Sequence, residues 1–333
     1  MSGPVVRGLT IAIPGMQRLL NNRVVIRPVK TMDAGENATE DVERTAGQKD
    51  ALPAPGAKRK QPRKMVIDPN KRLNELSGRD WIRYSISIWD IAKTGREQKY
   101  GHPAMFPLEL CGRLISTYTK EGHRVLDPFL GSGSTLVAAQ TLNRQATGFE
   151  VNEKFIKLTK GRLSQRQITD LAREPPKIIR ADAREIGKYL APDSVDFVLT
   201  SPPYWDILRQ KRTADYKAAR PYSETEIDLG NIDDYGAFIG ELKKVFSQVF
   251  SAVRPNRFCA VVVMDLRKGD RFYPFHMDLT RMMEDIGWVL DDIIVWDRRK
   301  EYNNLRALGY PYVFRVNKVH EFIMIYQKRK AAV

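Results

Sequence analysis

The stretch from Val125 to Ala139, VLDPFLGSGSTLVAA, constrains the fold more than any other part of the chain. An apolar run, Arg124-Val125-Leu126, stops at Asp127. A turn of small residues follows, Gly131-Ser132-Gly133-Ser134, and a helix-forming run opens at Thr135. A strand, a glycine turn and a helix in that order make a site for a nucleotide-like ligand. Glycine lets the backbone approach the ligand, and the first helical turn offers N–H groups that have no intrahelical acceptor. Leu136 stands where a third glycine would complete the dinucleotide fingerprint, so the turn alone does not specify the ligand.

Beyond this stretch the chain alternates. Strand patterns cover residues 146–151, 177–180, 195–200, 258–264, 289–296 and 322–326, and helix patterns cover 108–120, 153–173, 235–253 and 275–286. In the first of these helices Leu110, Leu114, Ile115 and Tyr118 keep helical spacing. Alternating strands and helices predict an α/β fold with a mostly parallel sheet covered on both faces. No helix pattern separates the last two strands, so they are expected to form a hairpin with one antiparallel strand.

Composition narrows the partner. A formal charge of +15 and a pI near 9.7 point to a polyanion, nucleic acid before membrane. No run of apolar residues is long enough to span a bilayer. Cys111 and Cys259 lie inside apolar patterns and are expected to be buried free thiols in a reducing compartment, the cytoplasm. The histidines (His102, His123, His276, His320) lack metal-ligand spacing, so no metal site is expected. Residues 1–66 read as a basic arm and a disordered linker. Residues 1–30 carry basic and no acidic side chains, 31–62 are polar, and Lys58-Arg59-Lys60 with Arg63-Lys64 makes a basic cluster. That cluster reads equally as a solvated tail or as a non-specific DNA clamp. Residues 67–333 are expected to form the folded domain.

Several polar residues sit where such a sheet binds ligands, at the carboxyl ends of its strands. Glu150 ends the second strand, where an acid can accept bonds from both ribose hydroxyls of a nucleotide. Asp182 follows the third strand and is equally suited to cap a short helix. Asp127 ends the first strand, placed to orient the glycine turn or to approach a ligand cation. Ser201-Pro202-Pro203-Tyr204 ends the fourth strand, and its two prolines make a rigid turn with outward carbonyls.

Asp127–Thr135, DPFLGSGST, resembles the cofactor motif of the amino-directed DNA methyltransferases, which use S-adenosylmethionine. Thr200-Ser201-Pro202-Pro203-Tyr204-Trp205 resembles their catalytic motif, and His102–Pro107, HPAMFP, resembles the segment beside the methionine end of the cofactor. The resemblance covers roughly Leu73 to Lys328. It implies a Rossmann-like, seven-stranded methyltransferase fold ending in an antiparallel hairpin. The cofactor residues it implies are His102, Pro103, Phe106, Asp127, Phe129, Gly131, Ser132, Gly133, Ser134, Thr135, Glu150, Asp182 and Thr200, with Asp182 meeting the adenine amino group. Ser201, Pro202, Pro203 and Tyr204 are the implied catalytic residues. The Ser201 hydroxyl and the Pro202 carbonyl would accept the hydrogens of an exocyclic amine while Tyr204 stacks on the flipped base. Neither cysteine follows a proline, which argues against attack on a ring carbon. A serine before Pro-Pro is typical of enzymes that modify cytosine at N4, and N6-adenine is the alternative. The cofactor motif precedes the catalytic motif here, the reverse of many relatives, as if the chain were circularly permuted. A reading of another class is a non-catalytic nucleic-acid-binding module with the same fold.

The implied partner is double-stranded DNA with a flipped target base, with a restriction endonuclease as companion activity, a nucleoid-associated location, and monomer or homodimer both open. Family members usually carry a separate target-recognition domain, and two irregular basic stretches are expected to serve instead. The first, 208–222, carries Arg209, Lys211 and Arg212, expected to clamp phosphate. The second, 298–318, carries Arg298, Arg299, Asn303, Asn304 and Arg306, expected to contact DNA and read base edges. A side chain at Gly133 is expected to fill ligand space and abolish cofactor binding with little loss of folding.

Overall fold

A computed structural model describes residues 68, 71–98, 105–165, 174–207, 227–302 and 305–330. The chain runs α1 (Gly78–Tyr84), β1 (Ile88–Trp89), α2 (Gly95–Gln98), α3 (Leu108–Tyr118), β2 (Arg124–Asp127), α4 (Ser134–Thr141), β3 (Gln145–Phe149), α5 (Glu153–Ser164) and β4 (Lys177–Ile179). It continues through β5 (Val195–Thr200), α6 (Tyr235–Ala252), β6 (Val253–Val263), β7 (Leu266–Lys268), β8 (Arg271–Tyr273), α7 (Phe275–Ile286), β9 (Val289–Asp297) and β10 (His320–Lys328).

Among the described residues one sheet has the order β1-β9-β10-β6-β5-β2-β3-β4, and β7 and β8 form a separate hairpin. β10 is antiparallel to both neighbours, while the other pairings of the large sheet are parallel. The seven strands and terminal hairpin read from the sequence are present, and the two-residue strand β1 adds an eighth at the β9 edge. This is the arrangement that the resemblance implies. The strand order reverses direction between β2 and β5, and such a switch opens a ligand crevice at the strand carboxyl ends.

Strand periodicity divides the core in two. Along β6, Cys259, Val261 and Val263 face the layer holding Phe238, Leu242 and Phe246 of α6 and Leu279 and Met283 of α7. Phe258, Ala260 and Val262 face Leu110, Leu114 and Ile115 of α3 and Leu136 of α4. Each such fully buried aliphatic side chain contributes roughly 1.5–3 kcal/mol. The helices start and stop where local chemistry directs. Asp234 caps α6 by accepting from the Ala237 N–H, Asn152 caps α5 through the Lys154 N–H, and Gly287 ends α7 with φ +112°. Cys111 and Cys259 are buried free thiols, and burial pushes both thiol pKa values up. No helix among the described residues is long and apolar enough to cross a membrane.

The β7–β8 hairpin has no counterpart in the sequence reading. Its strands are three residues each, too short and too exposed to show alternation, and Gly269 (φ +61°) makes the turn. β6 likewise begins five residues before its apolar run, because Val253–Arg257 is mostly polar at the surface.

Candidate active site

The carboxyl ends of β2, β3 and β5 converge on one cavity. Its floor is the glycine turn, with Phe129, Gly131, Ser132, Ser134 and Thr135; Glu150 and Asp182 line one wall, and Ser201 to Trp205 the other. Phe106, from the segment before α3, also lines it. His102 and Pro103 lie outside the described residues, as do Arg209, Lys211, Arg212, Asn303 and Asn304.

Buried polar groups hold the glycine turn. Glu150 Oε2 accepts from the Gly131 N–H at 2.8 Å and Oε1 from the Asn152 N–H at 2.8 Å. These two bonds fix the Glu150 carboxylate at the cavity wall. Arg162 of α5, 4 % exposed, donates to the Ser132 carbonyl and to Ser134 Oγ, and Ser134 in turn donates to the Phe106 carbonyl at 2.9 Å. Helix α5 therefore carries a cation directly under the loop. Sequence reading missed Arg162, because a single arginine on an amphipathic helix reads as solvated.

Asp127 accepts from Thr200 Oγ1 at 2.7 Å and from the Phe129 N–H at 3.1 Å. Burial pushes its carboxyl up to about 6, against bonds from Thr135, Thr200 and Phe129 that pull the other way. Thr200 thus acts through Asp127 and is not among the cavity-lining residues. Asp182 fulfils the capping reading, accepting from the Arg184 N–H at 2.8 Å and pairing with the Arg184 guanidinium, while also lining the cavity.

Gly133 departs from expectation. It is absent from the cavity lining, and it caps α4 at φ +78°. A Cβ there would meet Thr159 Cγ2 at 2.3 Å and Oγ1 at 2.7 Å. The space a side chain at Gly133 would take is occupied by Thr159 of α5, so a substitution there acts on folding.

The catalytic-type turn is anchored from beneath. Ser201 Oγ lies 3.0 Å from the Val262 carbonyl and 3.1 Å from the Tyr204 hydroxyl, donating inward; Tyr204 donates to Glu321 Oε2 at 2.9 Å. Burial, and then the Glu321 charge, push the Tyr204 phenol well above its usual range. The phenol is therefore a fixed donor whose ring borders the cavity. Trp205 takes φ +50°, donates to the Ile232 carbonyl at 2.9 Å, and packs on Tyr235 and Tyr273 with Lys268 over its ring. The left-handed conformation of a bulky residue costs about 1–2 kcal/mol, and this packing sustains it.

Arg298 is also relocated. It pairs with Glu321 and, at 2.6 Å, with Glu301; Lys93 lies 3.6 Å from Glu301. Burial opposes the Arg298 charge, yet Glu321, Tyr302 and Glu301 hold its pKa above the usual value. An arginine committed to buried Glu321 and half-buried Glu301 does not offer its charge to DNA phosphate, which corrects the expectation for Arg298. Arg299 stays exposed with its fork on Asp297, and Arg306 is exposed in the loop beyond. Residues 227–231, in which Asp228 caps a short 3₁₀ turn, also line the cavity. The sequence reading did not single these out, although Asp-Leu-Gly-Asn carries a turn signal.

The sequence matches the profile of the DNA methylase family over residues 41–161 and 195–332. The chain belongs to the DNA methylase family. Among curated relatives it is similar to the Type II methyltransferase M.BglI of Bacillus subtilis, 41% identical over 100 residues, 30% of this chain and 27% of that protein. It is also similar to the Type II methyltransferase M.HindIII of Haemophilus influenzae, 38% identical over 95 residues, 25% of this chain and 31% of that protein. The aligned segments thus span about a third or less of these two relatives. Among solved structures it is similar to a DNA modification methylase of Thermus thermophilus complexed with S-adenosyl-L-methionine. That match has a TM-score of 0.33 and 25% identity, covering 46% of this chain and 55% of that one.

Proposed function

We propose that this DNA methylase transfers a methyl group from S-adenosylmethionine to the exocyclic N4 amine of cytosine in double-stranded DNA. The observation that carries the reading is one cavity bordered both by the glycine turn with Glu150 and Asp182 and by Ser201 to Tyr204. The first half suits a nucleoside with a cationic tail. The Glu150 carboxylate at the end of β3 suits ribose hydroxyls, Phe129 and Phe149 supply apolar walls, and buried Asp127 supplies a carboxylate. When bound, S-adenosylmethionine supplies an electrophilic methyl group on a sulfonium.

The second half suits an amine. An exocyclic amine is a poor nucleophile because its lone pair is delocalised into the ring. Ser201 has one hydroxyl proton, and its acceptors, the Val262 carbonyl and Tyr204 oxygen, lie beneath the turn. Its lone pairs remain to accept an amine hydrogen, and the Pro202 carbonyl would accept the second. Both acceptors pull the nitrogen toward a tetrahedral shape with its lone pair facing the methyl group. With Glu150, Asp182 and Asp127 lining the cofactor's half of the cavity, the cofactor would supply the methyl group to the nitrogen lone pair and keep the S–C electron pair, and the amine proton would pass to solvent. The turn supplies position and acceptors without a covalent enzyme intermediate. Serine before Pro-Pro supports cytosine over adenine.

Ser201→Ala should lower turnover about 10²–10³-fold, the range for loss of one oriented hydrogen bond to the reacting centre, with S-adenosylmethionine affinity unchanged. Methylation-aware sequencing of DNA from cells expressing the wild type should show N4-methylcytosine. N6-methyladenine in its place defeats the cytosine assignment, and unchanged turnover of the variant removes Ser201 from the mechanism.

A further inference from the structure

The β9–β10 connection is built, not merely long. The Asn317 side chain donates to the Arg306 carbonyl at 2.7 Å and closes its base. At its tip Tyr312 and Val313 both donate to the Gly309 carbonyl, and Gly309 takes φ +79°. A Cβ on Gly309 would meet the Val313 carbonyl oxygen at 2.2 Å, so the tip requires glycine. This ordered tongue faces its largest apolar side chains outward. Tyr310 is 80 %, Tyr312 92 % and Phe314 94 % exposed, with Leu305 and Val316 also exposed. Exposed aromatics clustered on an ordered loop mark a binding surface.

Charge and position select the occupant. Residues 305–318 contain Arg306, Arg315 and Lys318 and no acid, in a chain of net charge +15. The tongue leaves the sheet at the end that bears the active site: Asp297 pairs with His320, and Thr200, level with Met324 through Val261, lies two strands across and four residues along, roughly 17 Å from that root. Its root touches the catalytic turn directly, through Glu321 and the Tyr204 hydroxyl. Lys318 lies over Phe272 of the β7–β8 hairpin, whose Tyr273 packs on Trp205.

Resting on the DNA reading above, we propose that Tyr312 and Phe314 form a wedge that enters the DNA base stack beside the target base, with Arg306, Arg315 and Lys318 on the flanking phosphates. Apolar side chains inserted between base steps unstack and kink a duplex, and a flipped base is easier to extrude from an unstacked step. A tongue rooted beside Tyr204 would place that opening at the same end of the sheet as the residue proposed to receive the base.

The test is unwinding of closed circular DNA, which needs no knowledge of the recognition sequence. Relaxed plasmid is incubated with the full chain, treated with topoisomerase and freed of protein, and its linking number is read on a gel. The wild type should lower the linking number in proportion to bound protein. Tyr312→Ser with Phe314→Ser should abolish that change, weaken duplex binding by roughly 5- to 150-fold per lost stack, and keep the salt dependence of binding, since no cation is removed. Melting temperature and S-adenosylmethionine affinity should be unchanged, because both side chains are nearly fully exposed. A double variant that unwinds plasmid like the wild type overturns the wedge. So does a double variant whose only change is loss of self-association in sedimentation, which would make the tongue an interface between copies. A wild type that binds S-adenosylmethionine and methylates DNA without unwinding it overturns the wedge alone. One that unwinds DNA but never methylates it overturns the proposed function alone.

Discussion

Gly133→Ala tests whether the glycine turn is shaped by its ligand or by its neighbouring helix. Alanine at φ +78° costs about 1–2 kcal/mol from the left-handed backbone alone. Its methyl would stand 2.3 Å from Cγ2, 2.7 Å from Oγ1 and 3.0 Å from Cβ of Thr159. Thr159 cannot rotate away cheaply. It is β-branched, fully buried on α5, and donates to the Gly131 carbonyl at 3.1 Å. Overpacking of this kind costs about 1–3 kcal/mol, so the substitution should destabilise by about 2–5 kcal/mol. That is a large part of the ~5–15 kcal/mol available to a folded protein. Thr159→Ala removes the two closest atoms at a cost of about 1 kcal/mol for its hydrogen bond. The double variant should therefore be more stable than the sum of the singles by about 1–3 kcal/mol. Urea midpoints give all four stabilities, and calorimetry gives cofactor affinity of the folded fraction. If Gly133→Ala unfolds at the wild-type midpoint yet loses S-adenosylmethionine, the steric argument fails and Gly133 serves the ligand directly.

Asp127→Asn should change the pH dependence of stability. Burial holds the native carboxyl at about 6 against 3.8 unfolded, so between about pH 4 and 6 the unfolded chain binds fewer protons. Stability associated with this group is greatest below pH 4 and falls by about 3 kcal/mol as pH rises through 6. The amide variant should lack that fall in urea melts from pH 4 to 8; equal slopes refute the shift. If the carboxylate faces the cofactor cation, wild-type affinity should rise with pH through about 6, and the variant's should not. Arg298→Met should destabilise by about 3–5 kcal/mol, because it leaves Glu321 buried without its cation. Adding Glu321→Gln should recover much of that loss, and Arg298→Met should not change the salt slope of DNA binding. A slope reduced by about one would return Arg298 to the phosphate contacts.

The sequence by itself determined the layered α/β architecture and the two walls of the cavity. Both follow from local information. Burial on two faces leaves β5 apolar but for Asp196 and Thr200, four-residue spacing marks α6, and DPFLGSGST and SPPY each fall at a strand end. Only the tertiary structure decided what these residues face. Gly133 meets Thr159, which lies on the next helix; Arg162 rises under the loop from 28 to 30 residues away; Tyr204 finds Glu321 across 117 residues. Arg298 is one of six basic residues in 298–318, and nothing in that composition separates it from Arg299. The difference is that β10 lies between β9 and β6, which brings Glu321 against both Arg298 and Tyr204. Periodicity is written in neighbouring residues, whereas the partner of a buried charge depends on strand order, which the spacing of residues along the chain does not encode.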